Sequence, residues 1–500
     1  MKGRRISKTG VDVRGKVAAG SVRAGVAKSD ITTRAKGALI HDPLYAKALV
    51  LDDGATKVAL IAMDVIAIGM IGEVKDDFLP KLRSRIQKEL KIPGRNVLVN
   101  ASHTHPPGRL LCDDREQVNR TFDAVRRAAQ NMTDVKVGWG RGHEDRFTMN
   151  RSLRLKNGKA WTIRHANPCP PDEEVAAVGP TDTEIGILRI DRTDGRPLAV
   201  VYNFACHPLF GDARGSITAN FPGFASRVIE ENLGHGAMAL FLQGAGGDMI
   251  DVRFKDFTRP RDTEPLGMML GQSTLKALRK IRTKDVKLKV ISETIQLPRR
   301  TDIPARIKEL RQEQTELLES LRTTSLNFKV FLPMYIKYAL NPEYPADYSY
   351  RYLQEAQIGS DDLVAMDVHN RRCIEKYLRN IHAMEKLVRI QDKIETLKFH
   401  KALNDDAGER TIRAEVQGIR IGECVLITSP AEVLVQVGLN VKRASPYKCT
   451  FMAAFSNGYM HYGAPAADYS GGGYEVTECL LAPEWQRLYE KKANDVIRKL

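Results

Sequence analysis

The chain of 500 residues is 43% hydrophobic and 28% charged, a composition typical of a soluble globular protein. It contains no apolar run near the ~20 residues that span a membrane, so we expect no transmembrane helix. No apolar segment follows its basic start, so no signal peptide is visible in it, and the compartment is left open. Its formal net charge is +16, but the basic residues are dispersed among acidic ones and few aromatic residues lie between them, which argues against specific nucleic-acid binding. An anionic membrane surface or an acidic substrate remains a possible partner.

Strand and helix patterns alternate along most of the chain. The basic stretch 1–21, rich in small residues, is expected to be a flexible tail, and strand patterns begin at Val22. The predicted strands are 45–51, 57–63, 95–100, 185–190, 198–205, 237–242, 286–295 and 424–428, and the predicted helices are 72–90, 115–131, 221–233 and 266–281. This alternation predicts an α/β fold, a layered domain with a mixed sheet, over residues 22–500.

Residues from about 303 to 403 differ from the rest of the chain. They are rich in Glu, Gln, Lys, Arg and Leu, nearly free of glycine, and carry aliphatic residues at helical spacing. Aromatic residues and proline concentrate in 328–352, between two predicted long helices. We interpret the stretch as a helical insertion in the α/β domain, either a cap or a solvent-facing helix pair with no functional role.

Metal-ligand residue types follow three of the predicted strands. His103 and His105 follow the first of these strands, His207 follows the second, and Glu432 follows the third. The ends of strands are where α/β proteins commonly place their chemistry. Two imidazoles and one carboxylate are also a common ligand set for a catalytic zinc that keeps a position open for water.

Each of these residues also has a structural interpretation. His207 could be a buried histidine with satisfied hydrogen bonds, and Cys206 beside it is interpreted as a packing residue. Glu432 looks like part of the first turn of a helix that runs to Lys442, where an acid suits the helix dipole. If the chain is extended over 103–105, both imidazoles lie on one side, so that one can bind metal while the other donates to an oxyanion.

Two further glycine-rich regions are expected near the same pocket. Gln243–Asp248 lacks the Lys and Ser/Thr of a phosphate-binding loop, and we interpret it as a loop whose backbone borders the pocket. Phe455–Tyr462 and Gly471–Glu475 combine glycine with tyrosine, which suggests ordered loops whose phenol groups point inward.

The order of these motifs resembles that in neutral/alkaline ceramidases. The matching segments, between about Ala24 and Glu478, are Asn100–Gly108, Met149–Ser152, Gly179–Glu184, Phe204–His207, Gly247–Asp248, Pro430–Glu432 and Asn457–Tyr462. The resemblance implies a catalytic domain with one zinc ion. The implied zinc ligands are His103, His207, Glu432 and Tyr462, and the implied oxyanion- and substrate-orienting residues are His105, Arg151 and Tyr474.

The implied activity is zinc-dependent hydrolysis of an amide bond in an N-acyl, ceramide-like substrate by metal-activated water. Two alternatives stay open: a zinc-dependent hydrolase of an ester or a non-lipid amide, and a non-catalytic basic binding protein with a ceramidase-like fold. One departure concerns Gly247–Asp248, which ceramidases typically follow with Val-Ser-Pro-Asn. Here Ile250 stands in place of the serine, so we expect ceramide itself to be a poor substrate.

Overall fold

A computed structural model describes residues 21–71, 73–105, 111–163, 170–212, 214–251, 260–346 and 349–500. The tail predicted over 1–21 lies, apart from Ser21, outside these residues. The chain divides into two units: the first contains the residues up to Arg300 together with Arg410–Leu500, and the second is Thr301–Glu409. The stretch that the sequence marks as a helical insertion, about 303–403, falls within the second unit.

The strands of the described residues all belong to the first unit. They are β1 Val22–Asp30, β2 Tyr45–Asp52, β3 Lys57–Met63, β4 Val97–Ala101, β5 Thr133–His143, β6 Thr148–Asn150, β7 Ser152–Leu155, β8 Ala160–Thr162, β9 Val175–Val178, β10 Glu184–Arg192, β11 Pro197–Phe204, β12 Met238–Gln243, β13 Met249–Asp251, β14 Leu288–Pro298, β15 Thr411–Ile421, β16 Cys424–Thr428, β17 Glu432–Val433, β18 Cys449–Ala453 and β19 Tyr462–Gly463.

Two larger sheets organise these strands. The first has eight strands in the order β12-β11-β10-β5-β1-β2-β3-β4, and the second has four in the order β14-β15-β16-β18. Both end pairs of the first sheet, β11–β12 and β3–β4, and one end pair of the second, β16–β18, are parallel, whereas all other pairs in these sheets, including β14–β15, are antiparallel. Smaller sheets pair β6 with β13, β17 with β19, and β7 with β8 and β9. The prediction of an α/β fold with mixed sheets is confirmed.

The helices are α1 Phe78–Leu90, α2 Asp114–Gln130, α3 Asn220–Leu233, α4 Glu264–Leu278, α5 Ile303–Ser320, α6 Phe328–Leu340, α7 Ser349–Ile358, α8 Asp362–Asp406, α9 Val435–Ala444, α10 Tyr474–Thr477 and α11 Trp485–Lys499. Helix α1 begins later than the sequence predicted, because the described residues just before Phe78 form turns. In the described part of the chain, no helix is both long and apolar enough to cross a membrane.

Side-chain alternation along the strands produces the layers of the first unit. On β2, Leu49 and Leu51 join the apolar cluster that also contains Leu426 and Phe451 of the second sheet. Val50, between them, points the other way into a cluster that contains Phe122 of α2. Successive strand residues face opposite sides of a sheet, so the two sheets pack face to face and helices cover their outer faces.

The second unit consists of α5, α6, α7 and the long helix α8. Phe331 and Tyr338 on one face of α6 are buried with Ile374 of α8. The hydroxyl groups of Tyr338 and Tyr352 both donate to the carboxylate of Asp367, at 2.7 and 2.5 Å, and this buried bond pair ties α6 and α7 to α8.

The second unit is inserted between two strands that pair with each other. Pro298 at the end of β14 is the register partner of Thr411 at the start of β15. Beyond this pair, the backbone N–H of Arg299 donates to the carbonyl oxygen of Arg410 over 2.9 Å. The chain therefore leaves the sheet and returns to it at adjacent positions.

Candidate metal centre

Two buried asparagines align the strands that precede the candidate ligands. Asn100 on β4 donates to the carbonyl oxygen of Ala454 at 2.6 Å and accepts from the backbone N–H of Gln243 at 2.8 Å. Asn203 on β11 donates to the carbonyl oxygens of Leu242 and Met452, each at 2.9 Å. These bonds hold the ends of strands from both large sheets together, and His103 and His207 follow at that edge.

Glu432 reaches the same place from a short strand. Its segment β17 runs parallel to β19, with Glu432 as the register partner of Tyr462, and its backbone N–H donates to the carbonyl oxygen of His461 at 2.9 Å. The prediction that Glu432 lies in the first turn of a helix is therefore wrong. Helix α9 begins only at Val435, because the preceding residues pair with a segment that is distant in sequence.

The side chains of His103, His207 and Glu432 converge. The Nε2 atoms of His103 and His207 lie 3.4 and 3.2 Å from the same carboxylate oxygen, Oε2 of Glu432. All three side chains are at most 2% exposed. Three potential ligand atoms therefore face one point in the interior, although these residues are far apart in the sequence.

Backbone carbonyls fix the orientation of both imidazoles. The Nδ1 atom of His103 lies 2.7 Å from the carbonyl oxygen of Ile66, and Nδ1 of His207 lies 2.5 Å from that of Gly246. A carbonyl can only accept, so each Nδ1 carries the proton and, in the neutral ring, each Nε2 presents a lone pair. This arrangement, in which the second ring nitrogen is held by a backbone oxygen, is typical of histidines that bind metals.

The electrostatics favour the ligand-competent protonation states of His207 and Glu432. Burial, followed by the neighbouring His103, lowers the pKa of His207 to about 4. Burial alone would raise the pKa of Glu432, but His103 and His207 outweigh it and hold that pKa well below its ordinary value. An uncharged imidazole and a carboxylate, the forms that bind a metal ion, therefore face each other near neutral pH.

His105 lies beside this group but is partly exposed. Its Nε2 atom is 2.9 Å from Nε2 of His103, and burial together with the other two histidines lowers its pKa well below the ordinary value. With His103 presenting a lone pair, the N–H of His105 is the donor in this contact. Ligand atoms of His103, His105 and His207 also lie within 4.8 Å of one another, so a set of three histidines is an alternative way to hold a metal ion. The following prolines lie outside the described residues.

Arg151 forms a buried polar group next to the cluster. Its Nε donates to Glu475 at 2.7 Å, and its Nη2 donates to the Tyr462 hydroxyl at 3.0 Å and to the carbonyl oxygen of Gly247 at 2.9 Å. Burial opposes the charge of Arg151, but Tyr462 and Glu475 outweigh it and raise the pKa of the guanidinium above its ordinary value. The predicted fourth ligand, Tyr462, is thus joined to the predicted substrate-orienting residue through its hydroxyl group.

The two predicted tyrosines are neighbours. The rings of Tyr462 and Tyr474 are 5.6 Å apart in an edge-to-face arrangement, and the Tyr462 ring is stacked at 6.5 Å from that of His207. The guanidinium of Arg151 lies 5.5 Å from the centre of the Tyr474 ring. Tyr474 is half-buried, so its ring extends from the buried group toward solvent.

The site also contains residues whose roles the sequence does not predict. The Tyr459 hydroxyl donates to Oε1 of Glu432, the oxygen opposite the one that faces the imidazoles. Glu475 binds Arg151 and also accepts from the hydroxyl of Thr162 at 2.8 Å. Tyr459 belongs to the motif that contains Tyr462, but nothing in the local sequence distinguishes the two phenols.

The glycine-rich segment Gln243–Asp248 supplies backbone to the site, in agreement with its interpretation as a loop bordering the pocket. Besides the carbonyl oxygen of Gly246 that holds His207, the backbone N–H of Gly247 donates to Val433 at 2.9 Å. A Cβ atom at Gly247 would lie 2.7 Å from the carbonyl oxygen of Glu432, so any side chain here would push the two segments apart.

Several residues near the cluster have left-handed backbone conformations that are rare outside glycine. The φ angles of His103, Phe455, Asn457 and His461 are 64°, 53°, 58° and 59°. Such strain persists where the surroundings determine the conformation, and it is concentrated at functional sites. Here Asn457 is held by its side chain, which accepts from Val99 and donates to Gln417, both at 2.9 Å.

Cys206 is fully buried in the apolar cluster that contains Phe147 and Phe204. Burial raises the pKa of its thiol well above the ordinary value, which removes the thiolate that a nucleophile needs. These observations agree with the interpretation of Cys206 as a packing residue.

Comparison with known proteins places the fold. No family model matches the chain. The structure of neutral ceramidase from Pseudomonas aeruginosa is similar with a TM-score of 0.58 and 17% sequence identity, over 95% of this chain and 74% of that one. A structure described as ceramidase complexed with C2 is similar with a TM-score of 0.59 and 16% identity, over 95% of this chain and 75% of that one. The chain therefore has a ceramidase-like α/β fold.

Proposed function

We propose that this chain is a zinc-dependent hydrolase that cleaves the amide bond of an N-acyl substrate. One observation carries the proposal: the Nε2 atoms of His103 and His207 converge on one carboxylate oxygen of Glu432 in the protein interior. The two imidazole lone pairs and the carboxylate repel one another at these distances, and a cation bound between them would remove the repulsion. The ceramidase-like fold supports the choice of an N-acyl amide as the bond that is cleaved.

Zinc suits the donor set because two imidazole nitrogens and one carboxylate are typical protein ligands of catalytic zinc. In this proposal His103, His207 and Glu432 hold the ion, and Tyr462 completes the set. A bound zinc ion would supply Lewis acidity, which polarises the scissile carbonyl and makes water a better nucleophile at neutral pH. The Tyr459 hydroxyl holds the outer oxygen of Glu432 and so keeps the other oxygen directed at the ion.

His105 is positioned to handle the proton and the oxyanion. It is partly exposed, next to the cluster, and its Nε2 carries a proton that points toward the ligand atoms. A donor at this position stabilises negative charge that develops on the carbonyl oxygen, an effect typically worth ~2.7–4 kcal/mol. Once His105 has accepted the proton that the attacking water releases, the resulting imidazolium would pass a proton to the leaving amine.

Arg151 and Tyr474 would orient the substrate. Glu475 and the Gly247 carbonyl fix the guanidinium, so its charge is present at one defined position beside the cluster. The half-buried Tyr474 ring lies over that charge and extends to the open side, where its phenol can reach a polar group of the substrate. A substrate with a polar or anionic group near the scissile amide fits this pair.

Ile250 makes ceramide an unfavourable candidate among N-acyl amides. It is buried in β13, and its backbone forms a parallel bridge with that of His207, so an aliphatic residue is the bridge partner of a proposed ligand. The serine typical of ceramidases would have offered a hydroxyl group here. We therefore expect other N-acyl amides, such as N-acyl amino acids or fatty amides, to be hydrolysed better than ceramide.

The test combines metal analysis with a substrate panel. Purified protein should contain about one equivalent of zinc, and His103→Ala and His207→Ala should each lose it while keeping the circular-dichroism spectrum of the parent. A Cys206→Ala variant, altered next to a ligand but not in it, serves as control and should keep its zinc. Protein that contains almost no zinc after expression with ample metal would refute the metal site and favour a binding protein.

The panel compares ceramides, N-acyl amino acids, simple fatty amides and matched esters on the zinc-loaded protein. Amides other than ceramide should give the highest kcat/KM. Ceramide leading by about tenfold would show that Ile250 does not limit the substrate, and esters leading by a similar margin would assign the chain to ester hydrolysis, since tenfold corresponds to ~1.4 kcal/mol of barrier.

A further inference from the structure

The second unit exposes an unusual amount of apolar surface. Among the described residues, 21 large hydrophobic side chains are exposed, and 16 of them lie in Thr301–Glu409. Exposed apolar residues that occur singly need no explanation, but a contiguous patch marks a surface that binds something. Because these side chains are concentrated in about a fifth of the chain, a contiguous patch is to be sought in this unit.

Helix α6 carries the most continuous part of this surface. Phe328, Leu332, Ile336 and Leu340 recur every four residues and, with Tyr335, form what we call the apolar stripe; these side chains are between 41% and 80% exposed. At a rise of 1.5 Å per residue, the stripe is about 18 Å long. Tyr350, Leu353 and Ile358 of α7 add further exposed apolar side chains.

The neighbouring face of α6 is already used inside the unit. Phe331 stacks on Tyr377 of α8 with ring centres 4.5 Å apart, and Tyr338 is held by Asp367. This face anchors the helix, so the helix presents the apolar stripe without needing to unfold or detach. The stripe is therefore a surface of the folded unit and not a face that the helix would bury inside the unit.

The charges on α6 indicate what the stripe contacts. Its 13 residues include Lys329 and Lys337, both exposed, and no acidic residue. Aromatic and aliphatic side chains beside lysines are typical of helices that lie in the interface of an anionic bilayer, where the apolar face enters the acyl region and lysines contact headgroups. An anionic surface also complements the formal net charge of +16 of the whole chain.

We propose that the apolar stripe on α6 docks the protein on an anionic lipid bilayer. The inference does not depend on the proposed hydrolase activity, because vesicle binding is measured without substrate turnover. If the substrate is a lipid amide, docking would keep the enzyme at the surface where its substrate resides.

The experiment is sedimentation of the full-length protein with vesicles of phosphatidylcholine and phosphatidylserine in roughly a 7:3 ratio. Phe328→Gln, Leu332→Gln and Ile336→Gln combined should lower the vesicle partition coefficient by at least about tenfold. The matched control is Met268→Gln on α4 of the first unit, which replaces a similarly exposed apolar side chain and should bind like the parent. Unchanged unfolding midpoints would show that both variants are folded.

A fluorescent probe reports whether the stripe itself enters the lipid. The three tryptophans of the chain, Trp139, Trp161 and Trp485, lie outside the second unit, so Tyr335→Trp places one probe on the stripe. We expect its emission to shift to the blue with vesicles, and no such shift when the three glutamine substitutions are also present.

Three results would overturn the proposal. The first is absence of binding to the anionic vesicles, and the second is binding that the glutamine substitutions leave unchanged. The third is equal binding to vesicles of phosphatidylcholine alone, which would remove the anionic surface as the partner. A dimer in solution that the glutamine substitutions dissociate, together with no vesicle binding, would assign the stripe to a second copy of the chain.

Discussion

The buried ion pair between Arg151 and Glu475 should dominate the stability of the region around the site. Both side chains are 4% exposed, and the Nε–Oε1 distance is 2.7 Å. Removing one partner of a buried pair typically costs ~3–5 kcal/mol, because the remaining charge is left without compensation. Glu475→Gln keeps the shape and one acceptor oxygen, so we expect a loss near the lower limit, about 3 kcal/mol of the free energy of unfolding.

The chain offers a matched control close to Glu475 in sequence. Arg154 and Asp468 form an ion pair at 2.8 Å, but their side chains are 58% and 27% exposed. An exposed pair is typically worth less than ~1 kcal/mol, so Asp468→Asn should change stability little. Urea unfolding of both variants at neutral pH and moderate ionic strength measures the difference.

The result that refutes this reasoning is a loss for Glu475→Gln as small as that for Asp468→Asn. Glu475→Asp separates charge from size, because it keeps the carboxylate on a shorter side chain. If Glu475→Asp is destabilised as much as Glu475→Gln, packing rather than charge accounts for the effect. A typical domain is stable by ~5–15 kcal/mol, so these variants should remain folded and measurable.

Three further predictions concern the site. His105→Ala should lower kcat by roughly 10²-fold while zinc stays bound, and loss of zinc as complete as in His103→Ala would instead make His105 a ligand. Tyr459→Phe removes the hydroxyl that holds Glu432, so the zinc affinity of this variant, measured by competition with a chelator, should fall roughly 10–100-fold. An unchanged zinc affinity would contradict the role of Tyr459 in holding Glu432. Burial raises the pKa of Asp248 to about 7, so the folded state keeps this proton while the unfolded state, with a pKa of ~3.9, releases it. The stability that this proton contributes to the parent is therefore lost as the pH rises from about 4 to 7. Asp248→Asn has no such proton, so its free energy of unfolding in urea, relative to that of the parent, should rise by up to ~1.4 kcal/mol per pH unit over this range. A difference in free energy of unfolding that does not change with pH would contradict the assignment.

The elements that the sequence predicts well are those with strong local periodicity. Strand 424–428 agrees with β16 residue for residue, and helix 115–131 differs from α2 by one residue at each end. These segments bury one face or both, so their apolar spacing is visible in the sequence. The sequence predicts a start for helix α1 that is several residues too early, because the apolar pattern does not mark where the preceding turns end and the helix begins.

The candidate site was predicted in part, for a different reason. His103 and His207 could be selected because each is a ligand type that follows a strong strand pattern. The sequence also identifies Glu432 as a ligand type but predicts that it lies in a helix, because its pairing with Tyr462 joins segments about 30 residues apart and leaves no local signal. The roles of Tyr459 and Glu475 depend on which atoms meet in space, and no spacing rule reveals them. Which of these residues bind zinc stays a prediction.

The attachment of the second unit has an evolutionary consequence. Because the chain leaves β14 at Pro298 and rejoins the sheet at Thr411, its register partner, residues 301–409 stand where a hairpin needs only a short turn. The pairing of β14 with β15 therefore does not depend on the segment that connects them. The whole unit could be gained, exchanged or lost in evolution without a change in the register of the sheet. The length and sequence of the helical unit can thus diverge at their own rate while β14 and β15 keep their register.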